Sequence, residues 1–177
     1  PVIPEENTVS IGEEDATDDE VIEAYNRING GVDRGANMLD ALNRFRKDGI
    51  GGRKCEAFVA VERTHDLLRY AVATFGGAYI GLRLPAIAQT QEVWKYVANV
   101  NGNEPGSWGG HAVSIVDYSP LTLTVVTWGV LRKMSWEFFD RYCDEAWAIL
   151  HLDWLGRDGK TPKGLRLAEL QSDLARI

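Results

Sequence analysis

Hydrophobic periodicity changes character at Gly76-Gly77, and that switch constrains the fold more than any other feature of this chain. On the N-terminal side the apolar residues recur with helical spacing. Val21, Ile22, Tyr25 and Ile28 lie on one face, behind a Thr17…Glu20 pattern in which hydroxyl and carboxylate can each satisfy a free backbone N–H. Met38, Leu39, Leu42 and Phe45 form a second stripe over residues 36–47, with Gly49 placed to cap it in the left-handed conformation. Leu67, Leu68, Ala71, Val72 and Phe75 form a third, started by Thr64 and stopped by the two glycines. Beyond them the pattern shortens to that of strands. Residues 78–84, 111–118 and 121–128 read as strands, the last two joined as an antiparallel hairpin through Ser119-Pro120. Residues 130–134 follow, then a short helix capped by Ser135, then a last strand over 145–152. Leu165, Leu167, Leu170 and Leu174 read as a docked C-terminal helix, and the loop-like stretch is 86–107. One apolar run in the helical half, 57–61, reads as a buried strand.

Helices first and antiparallel strands afterwards make an α+β fold. The expected organisation is an acidic arm over residues 1–16 and one domain over 17–177. Within it the helical part spans about 17–75, the sheet part about 78–152 and the last helix about 165–175. A formal net charge of −7 disfavours a partner recognised through phosphates, so no nucleic acid is expected. No apolar run approaches the ~20 residues of a membrane span, and no basic start precedes an apolar core as in a signal peptide. Composition does not fix a compartment. Cys55 and Cys143 make neither a disulfide framework nor a zinc site, and the three histidines lack metal-ligand spacing. No metal or cofactor is therefore expected. Asp18-Asp19-Glu20 reads as charge complementing a helix N-terminus, His65 as a surface residue after a cap, and His151 as a strand-face residue.

Chemistry concentrates in Trp108-Gly109-Gly110-His111-Ala112-Val113-Ser114-Ile115-Val116-Asp117-Tyr118. A histidine opens a β-branched strand directly after two glycines. Gly110 lets another group approach the imidazole, and the strand gives the ring a rigid platform. A general base needs such a fixed imidazole at a cleft edge. A histidine packed beneath Trp108 for structural reasons would carry the same signature. One hairpin later stands Val125-Val126-Thr127-Trp128-Gly129, from which Thr127 could hydrogen-bond the ring and Trp128 could cover it.

Together these two elements resemble the papain-like cysteine peptidases. There the catalytic histidine sits in a Gly/Asp-His-Ala-Val strand ending in Gly-Tyr, and the next strand ends in Asn-Ser-Trp-Gly. Here the matching pieces are Gly110-His111-Ala112-Val113, Asp117-Tyr118 and Val126-Thr127-Trp128-Gly129. Residues 38–52, 75–81, 133–136 and 144–147 are similar to a divergent bacterial and phage branch of that fold. The resemblance covers about residues 17–175. It implies a papain-like fold with a helical N-terminal half on an antiparallel sheet or half-barrel, and His111 as the base.

Departures from the family pattern are equally informative. The nucleophile belongs N-terminal to the histidine, at a helix start after Gln and Gly-x-Cys elements, with Gly-Asp-Cys expected in the divergent branch. No such element occurs in these residues. Cys55 precedes His111 but sits at a strand start, where Arg53 and Lys54 could favour its thiolate. Cys143 follows the histidine and adjoins Asp144 and Glu145, which disfavour one. Val126 stands where the orienting Asn belongs, leaving that role to Thr127, to a backbone carbonyl or to nothing. The oxyanion-hole Gln travels with the missing element.

The sequence reading therefore favours a papain-like protein without peptidase activity as given. It would be a structural or protein-binding component, for instance of a virion, with partners among copies of itself or an assembly. The alternative is a cysteine peptidase or amide hydrolase acting on a peptide substrate. Its nucleophile segment would lie upstream of Pro1 or on another chain, with His111 as general base and Trp108, Gly110 and Trp128 beside the substrate. A virion or cytoplasmic location follows only if the phage resemblance holds.

Overall fold

A computed structural model describes residues 16–32, 35–161 and 164–175; the acidic arm expected over 1–16 lies, apart from Ala16, outside them. Helix α1 (Asp18–Asn29) begins at Thr17, where the capping box forms as its sequence requires: the Thr17 amide donates to Glu20 Oε2 at 2.8 Å. Helix α2 (Met38–Lys47) starts at Asn37, whose Oδ1 accepts from the Asp40 amide at 3.2 Å. Helix α3 (His65–Phe75) starts at Thr64 and ends at Gly76 in the left-handed conformation. The Thr17 and Thr64 caps match the sequence signals because capping is local chemistry.

Among the described residues six strands form one sheet: β1 (Cys55–Ala60), β2 (Ala78–Leu84), β3 (Gly109–Tyr118), β4 (Thr122–Thr127), β5 (Val130–Ser135) and β6 (Cys143–His151). Their spatial order is β1-β6-β2-β3-β4-β5, and every pairing is antiparallel. Strand β1 departs from expectation in two ways. It is an edge strand with a half-exposed middle rather than a buried one, and it joins the sheet from within the stretch read as helical. The helix and sheet parts therefore interleave along the chain.

Helix α3 and helix α4 (Trp136–Tyr142) cover one sheet face. Leu68, Ala71, Val72 and Phe75 from α3, with Phe138, Phe139 and Tyr142 from α4, meet Ile80, Leu82, Val113, Ile115, Leu123, Val125 and Leu150 in one core. Burying residues of this size at ~1.5–3 kcal/mol each is what holds the layers together. Helix α5 (Leu167–Leu174) docks through Leu170 and Leu174 against β6 and β1, as its leucine spacing predicts.

Two loop features correct the sequence reading. The stretch 86–107 is not featureless: Ala86–Thr90 forms a 3-10 turn, and Trp94 inserts into the core with no exposed surface. The chain around it is tied to β5, because the Trp94 amide donates to Lys133 O and the Ser135 amide donates to Trp94 O, each at 2.9 Å. Strand β4 stops at Thr127, so Trp128 is not a strand residue. Trp128 (φ 46°) and Gly129 (φ 74°) form the two-residue turn between Thr127 and its partner Val130, with the positive φ values of a type I′ hairpin. A bulky residue rarely adopts that conformation, which costs roughly 1–2 kcal/mol.

Candidate active site

The β3–β4 pairing builds the site. Ser114 faces Val126 and Ile115 faces Val125, so alternation puts His111, Val113 and Ile115 on the core face with Val125 and Thr127. Val126 points to the opposite face and is 40% exposed. A side chain at the Asn position of the resembling family therefore cannot reach the imidazole here, whereas the next residue can. Thr127 Oγ1 lies 2.7 Å from His111 Nε2, as the diagonal neighbour across the hairpin.

The left-handed turn lays the Trp128 indole over the same ring. The two planes stack at 4.3 Å between centroids with 12° between them. Trp108 tilts against Trp128 at 5.3 Å, which completes an aromatic patch that is partly open to solvent. Burial under this cover pushes the His111 pKa below the ordinary imidazole value. Ring atom Nδ1 has no hydrogen-bond partner among the described residues. Their buried, unpartnered side-chain nitrogens and oxygens are Asn29 Nδ2 and Arg132 Nε, so Nδ1 reaches solvent. Gly110, its neighbour in β3, alternates to the opposite sheet face with exposed Arg83, and a Cβ placed there would meet nothing within 4 Å. The result is a neutral imidazole clamped through one nitrogen and roofed on one face, with its other nitrogen free for proton transfer.

Trp94 belongs to this site although the sequence reading passed it over. Its ring centroid is 6.5 Å from His111 and 6.1 Å from Trp128, nearly perpendicular to both. Near-equal distances from two stacked rings place it alongside the stack, where it resists lateral slip. Phe138 stacks on it at 5.6 Å, the Arg132 guanidinium lies over it at 5.3 Å, and its Nε1 donates to Ala88 O at 3.2 Å. The available signal was a lone Trp in a long connection without secondary-structure pattern, since such loops inside compact domains need an anchor.

Neither thiol joins the imidazole. Cys55 pairs with His151 at one end of β6, whereas Leu82, the partner of His111, pairs with Cys143 at the other. Nine residues of strand put those ends roughly 26 Å apart. Cys55 is buried, and desolvation raises its pKa. The expected help from Arg53 and Lys54 does not materialise: Arg53 approaches Asp153 at 3.9 Å and Lys54 donates to Lys47 O at 2.6 Å. Cys55, expected as a nucleophile candidate, thus lies far from His111 and lacks the help of Arg53 and Lys54 that would favour its thiolate. Cys143 shares the face of His111, but two strands away with buried Leu82 between them. Its Sγ donates to Glu145 O at 3.3 Å, and burial, reinforced by Asp144 and Glu145, pushes its pKa up to about 12.

The other two histidines are accounted for structurally. His65 bonds Asp140 at 2.8 Å and lies tilted against Trp136; His151 packs on Phe45 at 5.2 Å, its pKa lowered by burial. No group of three His, Cys, Asp or Glu among the described residues is placed to hold a metal ion, and no described helix is long and apolar enough to cross a membrane.

No protein-family model matches the chain, and no curated protein matches it. Among solved structures it is similar to xylellain, a cysteine protease from Xylella fastidiosa. The TM-score is 0.61 at 16% sequence identity, over 75% of this chain and 68% of that one. At that identity the likeness shows the fold: an α+β, papain-like architecture.

Proposed function

We propose that this chain carries the base-bearing part of a papain-like thiol hydrolase centre and has no peptidase activity through its own two thiols. One observation carries the reading: the clamp of Thr127, His111 and Trp128, with Nε2 bonded at 2.7 Å, one ring face stacked at 4.3 Å and Nδ1 open. A merely packed histidine has no need of all three. In this reading a cysteine from a segment outside the described residues faces Nδ1 and attacks an amide carbonyl. His111 takes the thiol proton and later returns it to the leaving amine. Thr127 orients the ring, and Trp108 and Trp128 line the approach of a peptide substrate.

A second reading has the same fold serving as a structural or protein-binding component, for instance of a virion. Its support is that Cys55 and Cys143 are both buried and off the site. The test is labelling by an electrophilic peptide that captures activated thiols. The chain as given should show no His111-dependent labelling; such labelling of Cys55 or Cys143 would overturn the claim that its own thiols are idle. The chain extended with the residues that flank it in its gene should be labelled at an added cysteine, and H111A should abolish this. No labelling there would sink the hydrolase reading and leave the binding one.

A further inference from the structure

We infer that Thr127 sets the neutral His111 to carry its proton on Nδ1, so that the resting imidazole offers a hydrogen-bond donor, not a base, to the cleft. The inference rests on the Thr127–His111 pair alone and needs no nucleophile. Nε2 and Oγ1 are 2.7 Å apart, and two arrangements satisfy that distance. In one, an Nε2–H donates to the hydroxyl, and the hydroxyl hydrogen must find another acceptor. In the other, the hydroxyl donates to an unprotonated Nε2 and the ring proton sits on Nδ1.

Burial decides between them. Thr127 is 4% exposed, and His111 is the hydrogen-bond partner of its hydroxyl among the described residues. The first arrangement strands a buried O–H. The second leaves nothing buried unpaired, because Nδ1 reaches solvent whether or not it holds the proton. Stranding a buried donor is penalised enough to bias the tautomers about 5- to 150-fold. A carboxamide oxygen in the orienting role would do the opposite, since it can only accept and would hold the proton on Nε2. Replacing the acceptor-only group by a hydroxyl therefore reverses what the orienter says to the ring. An Nδ1–H at the open edge of the ring that Trp128 roofs suits an acceptor such as a carboxylate or an amide carbonyl. To act as a base there, the ring must first move its proton to Nε2.

The test is long-range 1H–15N correlation of the His111 imidazole in the full chain, at a pH of about 9, where the ring is neutral. Wild type and T127S should both show Nδ1 protonated, by about five to one or more. T127V, which removes the hydroxyl, should lose that bias. A wild-type ring protonated mainly on Nε2, or a T127V ring with an unchanged ratio, overturns the inference. Should T127V fail to fold, the wild-type and T127S spectra decide alone. The peptide-labelling test of the hydrolase reading has no bearing on this outcome, so the two can fail separately.

Discussion

Replacing Trp94 with alanine should remove a large share of the stability of this domain. Trp94 is fully buried, and a Trp-to-Ala truncation in a core costs about 3–5 kcal/mol. The indole N–H to Ala88 O bond goes with it. That carbonyl also accepts from the Gln91 amide at 3.4 Å, so the added penalty is about 1 kcal/mol rather than a full orphaning. The backbone bonds of residue 94 to Lys133 and Ser135 survive the substitution, so the loop keeps its anchor to β5 and the loss is confined to the ring. The expected total is about 4–6 kcal/mol, against the ~5–15 kcal/mol of a typical domain. With a urea slope of about 2 kcal/mol/M, the midpoint should fall by about 2–3 M. W94F keeps a ring against Phe138 and should lose only about 1–2 kcal/mol. Urea unfolding followed by far-ultraviolet circular dichroism measures both. A W94A loss below about 2 kcal/mol would refute the view that this one ring is a main support of the core beside the His111–Trp128 stack.

Other measurements bear on the same structure. Burial lowers the pKa of both His111 and His151, so the unfolded chain binds more protons than the folded one just below the ordinary imidazole value. Their contribution to stability should be fully present above a pH of about 6.5 and be lost as pH falls through the lower folded values; a denaturation midpoint that H111Q leaves equally pH-dependent would contradict the His111 part. W128N should let the His111 pKa climb back toward the ordinary value in an NMR titration. It should stay within about 1 kcal/mol of wild type, because relief of the left-handed strain offsets the lost stack; an unmoved pKa would mean that the indole is not what dries the ring. With both thiols buried and Cys143 pushed up to about 12, native protein at a pH of about 8 should resist a thiol reagent for minutes, while unfolded protein yields both sulfurs at once. Labelling of the native chain at the rate of a free cysteine would show those positions to be open.

Local chemistry was what the sequence made legible. Thr17, Thr64 and Ser135 cap where they were expected to, because a cap involves residues three apart. The pairing of His111 with Thr127 was also readable, since both flank one short hairpin. What escaped depends on contacts distant in sequence. Nothing in the run 57–61 tells whether it will lie in the middle or at the edge of a sheet, because its partner in β6 lies some ninety residues on. Trp94 carries no periodic signal and is placed by α4 and β5. Trp128 was read as a strand residue because a tryptophan is a poor match for a left-handed turn; tertiary stacking overrides that local preference. The face of Val126 turned on the register of one pairing, which a one-residue slip would have reversed.

The strand order β1-β6-β2 has a consequence for the time course of folding. Strands β2, β3, β4 and β5 are neighbours both in space and in sequence, and the β3–β4 hairpin that brings His111 to Thr127 closes over a short loop. Strand β6 must then enter between β1 and β2, the step with the largest loop-closure penalty. The imidazole clamp is thus built from the fast, local part of the molecule, while the slow insertion happens on the far side of β2. Errors in that late step would leave β1 and β2 with unpaired edges open to other chains before they disturbed the clamp itself.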